Sequence, residues 1–359
     1  MRLVYLYILR SLCLGFMAAA ALLLPLFGFL DLISELDDIG RGSYGLGQAV
    51  LVTAMVLPRR AVELGPFIAL LGGIVGLGQL SVSSELTAIR SAGVTVLRIG
   101  LVTLVAGIGL AVTLAATDQY VASPLQQDAL QRRAQALSTP TDKVSGGVIW
   151  ARDGQQLVRV GELRAGRMPL DVEIFRFSKD NYLQSYRHAA YATILADDVW
   201  QLHDVQIKEW SAAGQTNRQI GQQLWQPIIP RHRLGELTLP ANSLSPQQLY
   251  RHLQFLHQIG QPAAVYAIAL WQKLGLPFLT AAMILLTVPF TLRQSRHTAL
   301  GLRLALGAVT GLAVYLANQI IEAVGMLFNL SPPLIGLFPP LAMLAVATAL
   351  LLRINRKPG

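Results

Sequence analysis

Six stretches of this chain contain no charged residue and are each long enough to cross a bilayer: Ser11–Leu30, Leu64–Ser84, Ile99–Thr117, Leu274–Leu292, Leu304–Ile321 and Ala323–Leu352. A spanning helix needs about 20 mostly apolar residues, because in hydrocarbon the backbone must satisfy its own hydrogen bonds. Three runs precede a region of ordinary polarity and three follow it. Only 14% of the 359 residues are charged, against roughly 25% in soluble domains, and the deficit lies at the two ends. The fold class this implies is an α-helical membrane protein with six transmembrane helices, three plus three, and an inserted domain.

The expected divisions are residues 1–137 for spans one to three with their loops, 138–262 for the inserted domain and a connecting helix, and 263–359 for spans four to six. Gly42–Pro58 is also uncharged, but its dense apolar part, Ala49–Leu57, is too short to cross. It reads as an interfacial helix or an extension of span two. Arg2 and Arg10 precede apolar residues as in a signal peptide. The run is too long for one, and no small-x-small cleavage site follows. Cys13 is the single cysteine, so no internal disulfide can form.

Lys and Arg collect on the cytoplasmic side of bacterial membrane proteins. With both termini inside, the cytoplasmic segments hold Arg2, Arg10, Arg90, Arg98, Arg293, Arg296, Arg303, Arg353, Arg356 and Lys357, while the loop between spans five and six holds no Lys or Arg. That bias places the inserted domain outside, which is the periplasm if the cell is Gram-negative. The net charge of +9 then reflects orientation and anionic lipid rather than nucleic acid, which is excluded as a partner because the inserted domain itself is only mildly basic.

Inside the domain, Asp153-Gly154 separates Val148–Arg152 from Gln155–Val160, a strong hairpin signal because both turn positions need φ > 0. Asp171–Phe177 alternates apolar and polar residues. Tyr191–Leu195, Val199–Leu202 and Val205–Trp210 continue the pattern, with breaks expected at Asp197-Asp198 and His203-Asp204. Short strands with regular turn signals predict a sandwich or jelly-roll-like β domain. A helix closes it: Ser245 suits the N-cap, Pro246 the first turn, and Gly260 the stop.

The chain contains no G-x-x-x-x-G-K-[ST], H-E-x-x-H, C-x-x-C or G-x-S-x-G, so no nucleotide cradle, metal motif or nucleophile elbow is legible. His252 and His257 lie on one helix but read as two solvent-side histidines, and His203-Asp204 point to opposite faces of a strand. No catalytic residue, metal ligand or cofactor is expected.

Between spans two and three, Ser83 to Gly93 reads SSELTAIRSAG. Ser84 suits an N-cap, Glu85 suits the positive end of a helix, and Gly93 suits the C-terminal stop. The segment is a short surface helix: either a plain loop helix or the place where an external motor pushes.

This segment resembles the coupling helix of the LptF/LptG lipopolysaccharide export permease family. So does the layout of three spans, a periplasmic β domain and three spans, over essentially the whole chain. Gly42-Ser43-Tyr44 after span one, and Tyr266 with Trp271-Gln272-Lys273 and Pro277 at span four, resemble the LptG branch. The resemblance implies an ABC-transporter membrane subunit with no ATPase site of its own. Its implied partners are an LptF-like permease, a dimer of an LptB-type ATPase, the periplasmic bridge proteins LptC and LptA, and lipopolysaccharide. Glu85, Leu86, Ile89 and Arg90 would form the contact with the ATPase.

Lipid A is anionic, so its phosphates call for cations at the outer interface. Arg133 matches a basic family position, and Lys273, Arg59 and Arg60 lie at similar depth; each could instead snorkel to fix its span. Some relatives carry a lysine near the end of span one. Here Asp31, Glu35, Asp37 and Asp38 stand there instead, placed to pair with Lys273 or Arg133 or to hold divalent cations bridged to phosphate. Acyl chains need an apolar lining, for which Leu22, Leu26, Leu30, Leu312, Tyr315 and Gln319 of spans one and five are the candidates. Gly72, Gly73, Gly76 and Gly78 in span two suggest close helix packing instead. The alternatives are the paralogous LptF subunit, a mechanical transducer that transports nothing, or a membrane glycan or acyl transferase.

Overall fold

The structure, a computed structural model, describes residues 2–137, 149–164, 168–178, 182–195, 199–211, 214–226, 239–258, 263–292, 300–328 and 330–356. The stops and turns expected at Asp197-Asp198 and Gly260 lie outside these residues. Among them are six helices long and apolar enough to cross a membrane, in the six places the charge-free runs indicated.

Helix α1 (Arg2–Leu36) is followed by a short loop and α2 (Leu46–Glu63). Leu64 joins α2 to α3 (Gly65–Val82) while still helical, donating its N–H to Arg60 O and accepting from Ile68 N. Most of the uncharged Gly42–Pro58 stretch is therefore a helical extension of span two, bent where Gly65-Pro66 interrupts the ladder. Helix α4 (Glu85–Ser91) leads to α5 (Val96–Thr117), which continues through a π-helical turn, Asp118–Ala122, into α6 (Ser123–Leu137). Span three thus projects well beyond the hydrocarbon. After the β domain come a 3-10 turn (Ala241–Ser243), the connector α7 (Pro246–Gln258), and spans α8 (Ala264–Leu292), α9 (Leu300–Leu327) and α10 (Pro332–Arg356).

The membrane core forms where α3 packs between α1 and α8. Glycines make this approach possible. A Cβ on Gly76 would lie 2.7 Å from Ser11 O, one on Gly72 would lie 2.8 Å from Gly15 O, and Gly73 faces Thr287 of α8. Ser11 Oγ donates to Gly76 O at 2.9 Å across the seam. Lipid offers no hydrophobic drive between helices, so close backbone packing supplies the attraction, as the sequence suggested. Helices α1 and α9 each leave a broad apolar face open.

The inserted region is a β domain. Its described strands, β1 (Ile149–Asp153), β2 (Gln156–Arg164), β3 (Met168–Phe177), β4 (Leu183–Ile194), β5 (Trp200–Ser211) and β6 (Gly214–Trp225), form one antiparallel sheet in chain order. That is a plainer order than the two-sheet arrangement expected from the short strands. One sheet suffices because it is creased. The pairing skips the row Gly161, Asp171, Ala190, Asp204, Gly221, one residue in each of β2 to β6. Asp171 and Asp204 both have φ +52, which turns their strands over. Buried positions consequently step by three across the row, from Pro169 to Val172, Ala189 to Ala192 and Leu202 to Val205, instead of by two. The crease gives one sheet two walls, between which Val160, Val172, Trp200 and Leu202 are completely buried. The break expected at His203-Asp204 is this crease: β5 runs straight through it.

Beside the crease, His188 and Arg159 hold the Asp171 carboxyl below the usual carboxylate range, with contacts of 2.8 and 3.1 Å. At the first hairpin the turn falls one residue later than the Asp-Gly signal suggested: Asp153 pairs with Gln156 as the last residue of β1, the turn is Gly154-Gln155, and of the two expected positions only Gly154 has positive φ, +52. Gly154→Val should therefore destabilise the β domain by about 1–2 kcal/mol, the cost of a β-branched residue in the left-handed region. Limited proteolysis of the full-length chain reads this as faster cleavage within the domain, and an unchanged cleavage rate would remove the turn from the account.

Candidate functional site

Two groups of residues stand out, at opposite ends of the spans. The first is α4. Its N-terminal residue position is where the sequence put it, but the chemistry differs. Ser84 has φ +62 and makes no side-chain cap; it offers only its carbonyl, to Ala88 N. A non-glycine residue in this region is strained by about 1 kcal/mol or more. Gly93 ends the helix with φ +91 and its N–H on Arg90 O, the expected glycine stop. Leu86 is buried, 2% exposed, and sits with half-buried Ile89 in the main membrane core. These two residues therefore fasten α4 to the bundle instead of facing outward, where the resemblance had put them. Glu85 is half-buried and faces the Tyr7 hydroxyl of α1, and Arg90 is exposed.

The second group is a string of charges at the other end. Asp31 of α1 accepts both Nε and Nη2 of Arg60, each at 2.7 Å. Arg60 also binds Glu63 at 2.8 Å, and Glu63 accepts from Arg59 Nε at 3.0 Å. Arg59 Nη1 reaches Asp118 at 2.7 Å, and Asp118 holds Lys273 Nζ at 2.9 Å. Lys273 Nζ then donates to Leu244 O at 2.6 Å, immediately before the connector. Cations and anions alternate throughout, so the string is internally neutral. Its centre is dry: the Arg59, Asp118 and Lys273 side chains are 7%, 5% and 6% exposed. Removing one partner from such a buried pair costs about 3–5 kcal/mol, because the other charge is left uncompensated.

The π-helical turn helps aim Asp118 inward, since the extra residue per turn rotates that position relative to a regular helix. Ser123 Oγ donates to the same carboxylate at 3.1 Å. The sequence reading put Lys273 and Arg59 at the interface as cations for lipid phosphates; their side chains instead turn into this cluster. Asp118, the carboxylate that organises it, was missed. Its only signal was position, as the one acid bordering the third apolar run.

Arg133 of α6 binds Glu35 at 2.9 Å and also Asp38, so two of the acids at the end of span one pair with Arg133, while Asp31 pairs with Arg60. Asp38 shares itself with Arg41. The Gly42-Ser43-Tyr44 motif has a physical explanation here. Gly42 has φ +56 and a Cβ there would meet the Leu137 carbonyl oxygen at 3.1 Å, while Ser43 N donates to Ala136 O at 2.8 Å. Tyr44 OH donates to Glu35 at 2.7 Å. Burial and then that hydrogen bond push the Tyr44 phenol up to about 12, so it stays a donor at any physiological pH. Side chains of Arg60 and Arg133 keep about a third of their surface open, at 37% and 35%.

Leu22, Leu26, Leu30, Leu312, Tyr315 and Gln319 all lie on the open faces of α1 and α9. They do not close a cavity within the chain; both faces look outward on either side of α3. Gln319 Nε2 donates to Tyr315 OH at 3.0 Å, and Tyr315 leans on Phe67 of α3. In the connector, His252 is buried against the Tyr266 ring, centroids 4.4 Å apart, and is not solvent-side as expected. Among the described residues no three His, Cys, Asp or Glu side chains gather as a metal site would require.

Comparison with known proteins adds a family. The model of the lipopolysaccharide export system permease LptF/LptG family matches residues 6–353. The lipopolysaccharide export system permease protein LptG of Escherichia coli strain K12 is 28% identical over 350 residues, 97% of each chain. Its Haemophilus influenzae counterpart is 26% identical over 348 residues, again 97% of each.

Proposed function

Since the chain belongs to the LptF/LptG family of lipopolysaccharide export permeases, we propose that it is the LptG-type subunit that carries lipopolysaccharide out of the inner membrane while a separate polypeptide hydrolyses ATP. The protein is a multi-pass membrane protein. Both termini and α4 face the cytoplasm in this reading, and the β domain faces the periplasm, as the Lys/Arg bias demands. Residues 1–137 and 263–359 form the two membrane halves around residues 138–262. An LptF-like permease covers the open faces of α1 and α9, so that Leu26, Leu30, Tyr315 and Gln319 line a shared passage rather than one inside this chain. LptC- and LptA-type proteins receive the lipid beyond the β domain.

The observation that carries the reading is α4. It is short, bolted to the core through Leu86 and Ile89, and leaves Arg90 exposed and Glu85 part-exposed beside Tyr7. An ATPase of the LptB type that grips those two residues moves the bundle with them. For the lipid headgroup, Arg133 and Arg60 are the better candidates because part of each remains open; an incoming phosphate would compete with Glu35, Asp38 and Asp31 for them. Lys273 and Arg59 would have to leave Asp118 first.

Glu85→Ala should weaken co-purification of the P-loop ATPase at least tenfold while the variant is still inserted in the membrane. A complex of normal size and normal ATP turnover would refute the assignment of α4. A transducer that transports nothing shares α4 with this reading. It would be favoured if lipopolysaccharide carrying a photocrosslinker never labelled α1 or α9 during turnover.

A further inference from the structure

The string of charges described above runs through four helices and ends on the backbone of the connector. Asp31 is on α1, Arg60, Glu63 and Arg59 are on α2, Asp118 opens the π-helical turn, and Lys273 is on α8. The last link, Lys273 Nζ to Leu244 O, is made on the chain that follows the β domain, just ahead of the connector. Further bonds fix the same place. Gln127 of α6 donates to Ser243 O at 3.0 Å and to Gln248 at 2.8 Å. Gln119 in the π-helical turn bonds Gln247 through both side chain and backbone. Ser245 and Gln248 cap the connector reciprocally, so its first turn is rigid.

We infer that Asp118 is a positioning residue: acting through Lys273 and the Leu244 carbonyl, it fixes the connector to the spans and so keeps the β domain aligned with the membrane passage. This rests on the export reading above. Three observations support it over a headgroup site. The central cations are almost wholly buried. Each is matched by an anion, so the string has no surplus positive charge for a phosphate. And Lys273 uses a second hydrogen bond on a backbone carbonyl, which an ammonium held for a ligand would leave open. The string also ties α1, whose outer face is open, to the same joint through Asp31 and Arg60. A displacement of α1 therefore reaches the connector through fixed charge pairs.

The test uses the assembled complex with its ATPase in proteoliposomes containing purified lipopolysaccharide. Two quantities are measured: ATP hydrolysed per lipid delivered to a soluble acceptor, and disulfide yield between Gln127→Cys and Gln248→Cys in a Cys13→Ser background. Asp118→Asn and Lys273→Met should each raise the ATP cost per lipid at least fivefold and lower the disulfide yield. The double variant, which removes both charges together, should recover at least half of each loss. A merely structural role would lower protein yield and leave that ratio unchanged.

If the single variants do not assemble, Gln127→Ala with Gln248→Ala loosens the same joint without touching a buried charge. That pair should raise the ratio at least twofold, and no rise would overturn the proposal. It is also overturned if Lys273→Met reduces bound lipopolysaccharide while the disulfide yield stays at the wild-type level, the signature of a headgroup cation. If the wild-type complex delivers no lipid, the export reading fails. The disulfide yield needs no lipid and still decides the role of Asp118.

Discussion

Replacing Gly76 with valine should cost this protein about 3 kcal/mol or more, the upper end of what overpacking produces. The new Cβ would sit 2.7 Å from Ser11 O and 3.0 Å from the Leu12 Cα. Both are backbone atoms of α1, which cannot rotate away as a side chain would. Relief requires α1 to move off α3, and that move breaks the Ser11–Gly76 bond and opens the seam between Phe16 and Gly72. Thermal aggregation in detergent, followed by sizing chromatography, should show a clear fall in midpoint. Gly109→Val in α5 is the control, because nothing lies within 4 Å of a Cβ there. Equal midpoints for the two variants would mean that α1 and α3 do not pack as described.

Trp200→Ala should cost about 3–5 kcal/mol, as truncation of a fully buried large aromatic does. Trp200 is completely excluded from solvent and meets Trp225 edge-on, ring centroids 5.5 Å apart at 78°. The two rings fill the space beyond the crease, where a single sheet has few other large side chains to offer. The loss should stay local: the β domain should become protease-sensitive while the six spans keep their melting behaviour. A β domain that resists protease as well as the wild type would show that the two walls do not close on this pair. If the spans melted earlier as well, the domain and the membrane bundle would unfold as one unit, contrary to the two separate cores seen here.

The membrane part was legible because its rule is strict. A run of twenty apolar residues has few other uses, so all six spans were found, and glycine-rich α3 was rightly read as a packing helix. The β domain was legible only where strands alternate. The first half of β4, Leu183 to His188, and all of β6, GQTNRQIGQQLW, are polar enough to look like loops. They are strands because their neighbours in the sheet pair with them, a non-local cause that a local pattern does not record. Asp204 looked like a turn for a sound reason, since aspartate tolerates the left-handed region; what could not be foreseen is that four other strands break at the same row.

At the site, position along the chain picked out cations but could not name their partners. Arg133 was picked by family resemblance, and Arg59, Arg60 and Lys273 by depth. Which of them is neutralised depends on where Asp118, Glu63 and Asp31 fall in space, and the residues are far apart in the chain. The family resemblance cast Leu86 and Ile89 as contact residues but says nothing of the bundle beneath the helix; the apolar pair packs into the main membrane core.

The strand order of the β domain has a bearing on how the chain is made. Each strand after β1 pairs with the one before it, so each hairpin can close as soon as its second strand has been made, with only short loops to order. Among the described residues, no strand of that sheet pairs with anything beyond Trp225. The membrane half is different: α8 must find α3 and α5, synthesised long before, and its partner α10 comes last. During synthesis, a finished sheet therefore precedes a bundle still missing half of its helices; insertion of α8 brings in the Lys273 joint, and the core closes only when α10 packs against α8.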